Sequence, residues 1–198
     1  MNKVNNINPI MLCEEKKYQK VRQILLDSSK EPDSNFSVEF FQPEDSYGWI
    51  DITITSSSYK TTIETSYVYD PYYDFIWWLE AIYLNKIPQL WIIDEEGRFQ
   101  ECFVYALDSK RVRFIVINEN NLLLDDWNES SIVLDVVISK EKFIKEFYFK
   151  FKNFVENKYK HDLWESGDLR EYLKRLKESI NIYHCEYIHT YCYDKENQ

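Results

Sequence analysis

The chain contains very little glycine. Only three of its 198 residues are glycine, and they stand far apart at positions 48, 97 and 167, whereas roughly 7% is usual. A P-loop or a dinucleotide-binding loop needs several glycines within a few residues, because the backbone must approach a phosphate closely. The sequence therefore excludes both kinds of phosphate site.

Long apolar runs are missing as well. Apolar stretches such as residues 75–79 fall far short of the roughly 18–20 residues that span a bilayer. The first ten residues lack the apolar centre of a secretory signal. The four cysteines are scattered at positions 13, 102, 185 and 192, which without such a signal favours free thiols in a reducing compartment. We therefore expect a cytoplasmic protein without a membrane partner.

Negative charge is abundant and unevenly distributed. The formal net charge is −10, but residues 31–138 hold six basic and twenty acidic residues, a net of −14. Residues 1–30 carry +3 and residues 139–198 carry +1. A segment this acidic repels nucleic-acid phosphates and attracts a basic protein surface, although solubility alone also accounts for it. We expect no nucleic-acid partner, and a basic protein is the candidate partner.

The middle of the chain shows the two-residue period of β-strands. Residues 36–40, 49–55 and 61–69 alternate in this way, and short polar links make them antiparallel neighbours. The outward positions hold threonine, serine and acidic residues, so one face of this sheet is expected to be wet. Residues 89–94, 98–107 and 110–118 predict a meander, and residues 132–138 predict a further strand.

Three helices are predicted in the same part of the chain. Asp70 followed by Pro71 marks the start of a helix over 71–85 that is apolar nearly all round. Ser139 caps an amphipathic helix that ends near Tyr159, and Asp168 begins the last helix. The pattern predicts an α+β fold in which six to seven mostly antiparallel strands pack against two or three helices.

The whole chain, 1–198, is interpreted as a single domain with two distinct ends. Residues 1–30 form an N-terminal segment with a short helical pattern at Tyr18, Val21, Ile24 and Leu25. Residues 184–198 are less periodic and are expected to form a flexible tail.

Aromatic residues are concentrated at 67–78, where they alternate with Asp70 and Asp74. Tyrosine and tryptophan dominate the energetics of protein interfaces, but the same side chains also suit the core between helix and sheet. Both interpretations stay open, with tryptophans inside and some tyrosines at a rim. The predicted partner-binding residues are the carboxylates near these aromatics, taken as exposed: Asp70, Asp74, Glu80, Asp94, Glu95 and Glu96.

The acidic run Asp94-Glu95-Glu96 has a second interpretation as a site for a hard cation. No second acidic pair completes such a site, so a hairpin turn with solvated charges is favoured. A metal-like cluster also occurs near the C-terminus. If this segment is helical, Cys185, His189 and Cys192 share one face and form a candidate zinc site; the alternative is ordinary packing against the sheet.

Catalytic signatures are weak. The chain has no G-x-S-x-G elbow, and His161 is the only histidine outside the tail. We therefore expect a non-enzymatic protein that needs no cofactor.

The run from Asp70 to Ile82, the proline at 88 and the turn at 93–97, followed by the meander, resemble small uncharacterised acidic α+β proteins of bacteria. Some of these are immunity-type partners of polymorphic toxins. The resemblance covers about residues 65–155. It implies an α+β fold and a role of the immunity type, and it assigns no functional residue.

Three functions follow as hypotheses. The first is an acidic protein-binding module, of the immunity or inhibitor kind, that neutralises a basic toxin or nuclease. The second is a homo-oligomeric structural or assembly protein that uses its aromatic surface. The third is a metal-binding protein that uses the C-terminal His/Cys cluster.

Overall fold

Seven strands form two antiparallel sheets in the computed structural model, which describes residues 30–45, 47–119 and 132–180. The first sheet has the order β1-β2-β3, with strands Ser37–Phe41, Trp49–Thr55 and Lys60–Ser66. The second sheet has the order β4-β5-β6-β7, with strands Gln89–Asp94, Phe99–Ala106, Arg111–Glu119 and Ile132–Ser139. The predicted α+β fold with an antiparallel meander is confirmed.

Three helices of more than one turn accompany the sheets in the described residues: α1 (Tyr72–Tyr83), α2 (Lys140–Asn157) and α3 (Leu169–Ser179). The predicted caps of the last two are present. The Ser139 side chain accepts a hydrogen bond from the Lys142 amide, and the Asp168 side chain accepts one from the Arg170 amide. Both caps satisfy amides that have no partner within the helix.

The predicted cap of α1 was wrong by one residue. Pro71 occupies the N-cap position and provides no side-chain hydrogen bond. Asp70 lies before it, and its Oδ1 accepts the Tyr72 amide at 2.9 Å. The cause is the fixed geometry of proline, which has no N–H, so the preceding aspartate forms a local turn with the residue beyond it.

The main core lies between the inner faces of the two sheets and is filled by aromatic side chains from the helices. Phe75 and Trp78 of α1 meet Trp91 of β4, with ring centroids 5.1 and 5.4 Å apart. Phe143 and Phe147 of α2 lie 4.8 Å apart and both contact Phe114 of β6. Their four-residue spacing places them on one face of α2, which is the amphipathic helix predicted after Ser139.

The outer faces of the two sheets differ. On the first sheet the outward residues Glu39, Thr62 and Glu64 are exposed, which confirms the predicted wet face. On the second sheet Ile115 and Ile117 point away from the main core and are still buried. The second sheet is therefore covered on both sides.

The predictions for the two ends of the chain, residues 1–30 and 184–198, fall on segments that lie outside the described residues, except for Lys30. Within 30–45, 47–119 and 132–180, no helix has the length and apolar character to cross a membrane.

Candidate protein interface

Helix α1 divides its aromatic residues between the core and the surface. Tyr72 and Trp78 are 0% and 2% exposed, whereas Tyr73 and Trp77 are 49% and 46% exposed. Neighbouring residues on a helix point about 100° apart, so a continuous aromatic run must present side chains on both sides. The core interpretation is confirmed for the inward residues. The expectation that the tryptophans lie inside is correct for Trp78 and wrong for Trp77, which is exposed together with Tyr73.

The outward pair holds a cation from the chain itself. The Arg175 guanidinium of α3 lies 3.8 Å from the Trp77 ring centroid and 5.4 Å from that of Tyr73. The two rings are 6.3 Å apart at 74°. Hydrogen bonds involving Trp77 and Arg175 lower the pKa of Tyr73. This surface therefore has the cation–π geometry that recognises guanidinium groups.

Two predicted carboxylates flank Trp77. Asp74 precedes it by three residues and Glu80 follows it by three, so helical spacing puts all three on one side of α1. Asp74 is exposed and Glu80 is partly exposed. Within the described residues, neither side chain forms a hydrogen bond or an ion pair. We call Tyr73, Asp74, Trp77 and Glu80 the outer stripe of α1.

Asp70, in contrast, is occupied by the fold. Its Oδ2 accepts hydrogen bonds from Ser166 Oγ at 3.0 Å and from Tyr172 OH at 3.1 Å. Burial together with the charge of Asp70 raises the pKa of Tyr172 to about 12. Asp70 therefore fastens α3 and the segment before it to the start of α1.

The acidic turn after β4 is also tied into the fold. Glu96 is exposed, as expected, and Asp94 is partly exposed, but Glu95 is buried, which contradicts the expectation for that residue. Glu95 is only 6% exposed; its Oε1 accepts the Glu64 amide at 2.8 Å. Asp94 accepts the Gly97 amide, and Glu96 accepts the Ser66 hydroxyl at 2.6 Å. The turn of the second sheet is thus fastened to the edge strand of the first.

Burial raises the pKa of Glu95. Within the described part of the chain, no three His, Cys, Asp or Glu residues come together in a way that could hold a metal ion. The alternative interpretation of the acidic turn as a cation site therefore gains no support from its geometry. The sequence could not show that the turn meets β3, because that contact depends on how the two sheets face each other.

The exposed face of the first sheet carries a second acidic surface, which was not predicted from the sequence. Asp51 of β2 lies directly opposite Glu64 of β3. Burial and the charge of Glu64 raise the pKa of Asp51. The Arg98 guanidinium lies 3.2 Å from the Glu64 carboxylate and partly neutralises the charge of the pair. The alternation of residues predicted the face, but only the strand register brings these two carboxylates together.

A cleft of about 500 Å³ opens at the start of α2. Its lining consists of Tyr83, Ser109, Lys110, Ser139, Lys140, Glu141 and Ile144. Ser139 is the cap of α2, and the Lys140 amine donates to the Tyr83 carbonyl at 3.4 Å and also contacts the Asn85 side chain. These polar groups join α2 to the end of α1. We therefore interpret the cleft as a structural feature and not as a binding site.

Comparison with known proteins gives no relative from which a function can be transferred: no family model, no curated protein and no solved structure matches the chain. The predicted zinc ligands Cys185, His189 and Cys192 lie outside the described residues. The outer stripe of α1 is therefore the candidate site for which the structure provides geometry.

Proposed function

We propose that this chain is a non-enzymatic, cytoplasmic binding protein of the immunity or inhibitor kind, which holds a basic protein such as a nuclease toxin. The outer stripe of α1 is the proposed contact surface. The observation that carries the proposal is Arg175, whose guanidinium lies against Trp77 and Tyr73. A lysine or arginine of the partner would meet the parts of these two rings that remain exposed, with Asp74 and Glu80 beside them.

The chemistry of the stripe suits such a partner. Tryptophan and tyrosine are enriched among interface residues whose truncation weakens binding most. Nearby carboxylates steer a basic partner during diffusional encounter and speed association. The net charge of −14 over residues 31–138 extends this attraction well beyond the stripe.

Site-specific photo-crosslinking in the cells from which the gene comes tests the proposal. The photoreactive amino acid p-benzoylphenylalanine replaces Tyr73 in the full chain, and the captured species is identified by mass spectrometry. Tyr59 is the matched control, because it is also an exposed tyrosine, at 39%, but lies between β2 and β3.

We expect position 73, and not position 59, to capture one protein of basic isoelectric point. Capture of a second copy of this chain would instead support the homo-oligomer. Equal capture at both positions, or capture of an acidic protein, would contradict the proposed surface.

A further inference from the structure

The outer face of the second sheet is buried although the helices α1 and α2 pack on its inner face. Phe103, Ile115 and Ile117 are 5%, 0% and 1% exposed. They form a separate apolar cluster with Leu90, Tyr105 and Ile132, and every member belongs to strands β4 to β7. In-plane neighbours cannot shield the face of a sheet from water, so an additional layer must cover it.

The same face holds a buried ion pair. Arg113 is 2% exposed, and its guanidinium forms two hydrogen bonds of 2.7 Å with the carboxylate of Asp135. The amine of Lys30 lies 2.7 Å from the same carboxylate. An ion pair this dry is stable only when both partners are fully hydrogen-bonded and the cover over them persists.

The described chain begins on this face. Lys30 meets Asp135 in β7, and the amide of Asp33 donates to the Val137 carbonyl of the same strand at 2.8 Å. Among the described strands, β7 lies at the edge of the second sheet. The 29 residues that precede Lys30 are therefore attached at the border of the buried apolar face.

We propose that the outer face of the second sheet binds the chain's own N-terminal segment, residues 1–29. Its apolar residues Tyr18, Val21, Ile24 and Leu25 have helical spacing. A helix over about fourteen residues is roughly 20 Å long, enough to cross four strands whose axes span about 14 Å. The segment carries five basic and three acidic residues, a net of +2, and this sign suits a face that also holds the carboxylate of Glu101, which lies opposite Ile117.

Limited trypsin digestion of the full chain tests this docking. Lys20 and Arg22 lie within the pattern, and Lys174 and Arg175 in α3 provide an internal reference. We expect slow cleavage after Lys20 and Arg22 in the natural chain. Leu25→Asp should accelerate it about tenfold, whereas Asn5→Asp, which changes the charge equally outside the pattern, should leave it unchanged.

A second pair of variants tests whether the outer face of the second sheet is the surface that binds the N-terminal segment. Ile115→Ala removes methylene groups from that face, while Ile52→Ala removes them from the main core. With both variants folded by near-ultraviolet circular dichroism, only Ile115→Ala should speed cleavage after Lys20, again by about tenfold.

Three results would overturn the proposal. One is rapid cleavage after Lys20 and Arg22 in the natural chain, at the rate seen in Leu25→Asp. Another is equal acceleration by Ile115→Ala and Ile52→Ala. The third is protection that grows with protein concentration between about 1 and about 50 μM, which would make a second copy the occupant.

Discussion

Replacement of Glu95 tests how the two sheets are joined. Glu95 reaches from the turn after β4 to the amide of Glu64 in β3, 2.8 Å away, and also accepts the Gln100 side chain at 3.3 Å. Glu95→Ala removes both acceptors from a place that water hardly reaches. A lost acceptor of this kind costs about 1–3 kcal/mol, so the free energy of unfolding should fall by about 2–3 kcal/mol. Glu95→Gln retains an oxygen for the Glu64 amide and should lose less than about 1 kcal/mol.

The pH dependence of the same variants gives an independent check. Because burial raises the pKa of Glu95, the folded state holds this proton more tightly than the unfolded state does. The contribution of Glu95 to stability therefore increases as pH falls through the raised folded value and levels off below the unfolded value of 4.5. Glu95→Gln lacks this gain. Its free energy of unfolding, relative to that of the natural chain, should therefore be higher near pH 7 than near pH 4.5.

Urea unfolding followed by tryptophan fluorescence at the two pH values measures both effects. Glu44→Ala is the control, because the Glu44 side chain is 83% exposed in its ion pair with Lys160 and its removal should leave the free energy of unfolding nearly unchanged. The described role of Glu95 is wrong if Glu95→Ala is as stable as the control. It is also wrong if the difference in unfolding free energy between Glu95→Gln and the natural chain is the same at both pH values.

Two further predictions concern the backbone and the buried ion pair. Gly48 has φ +80°, and a Cβ there would lie 1.9 Å from the Tyr67 ring, so Gly48→Ala should lower the urea-unfolding free energy by about 2–4 kcal/mol. Gly97→Ala, where φ is +111° and nothing lies within 4 Å, should lose less; equal losses would refute the clash. Asp135→Asn removes the negative charge that Arg113 and Lys30 share and should lower the free energy of unfolding by about 3–5 kcal/mol at pH 7. Burial alone would raise the pKa of Asp135, but hydrogen bonds from Arg113 and Lys30 lower it. The natural chain should therefore lose this stabilisation only below about pH 4. If Asp135→Asn unfolds with the same acid profile as the natural chain, Asp135 does not stabilise the fold through its charge.

Local patterns were sufficient to predict most of the fold. The alternation of residues 49–55, the amphipathic helix after Ser139 and the caps Ser139 and Asp168 depend on neighbours within a few residues. The structure has β2, α2 and both caps at these places. The start of α1 was misplaced because proline prevents Asp70 from capping in the usual way.

The candidate site was harder to predict, because exposure depends on contacts that are distant in sequence. Glu95 is buried only because β3 meets the turn after β4. Trp77 and Trp78 are neighbours in the sequence, yet one is at the surface and the other in the core. Arg175 could be recognised as a polar residue of the last helix, but its place against Trp77 follows from the packing of α3 on α1.

The most direct test of the proposed interface is the affinity of the protein captured at position 73 for the variant Trp77→Ala, measured by isothermal titration calorimetry. Tyr47→Ala serves as the control, since Tyr47 is 75% exposed and lies outside the outer stripe of α1. We expect Trp77→Ala to weaken binding at least about tenfold while its near-ultraviolet circular dichroism remains that of a folded protein. Unchanged affinity for Trp77→Ala, or an equal loss in Tyr47→Ala, would contradict the account.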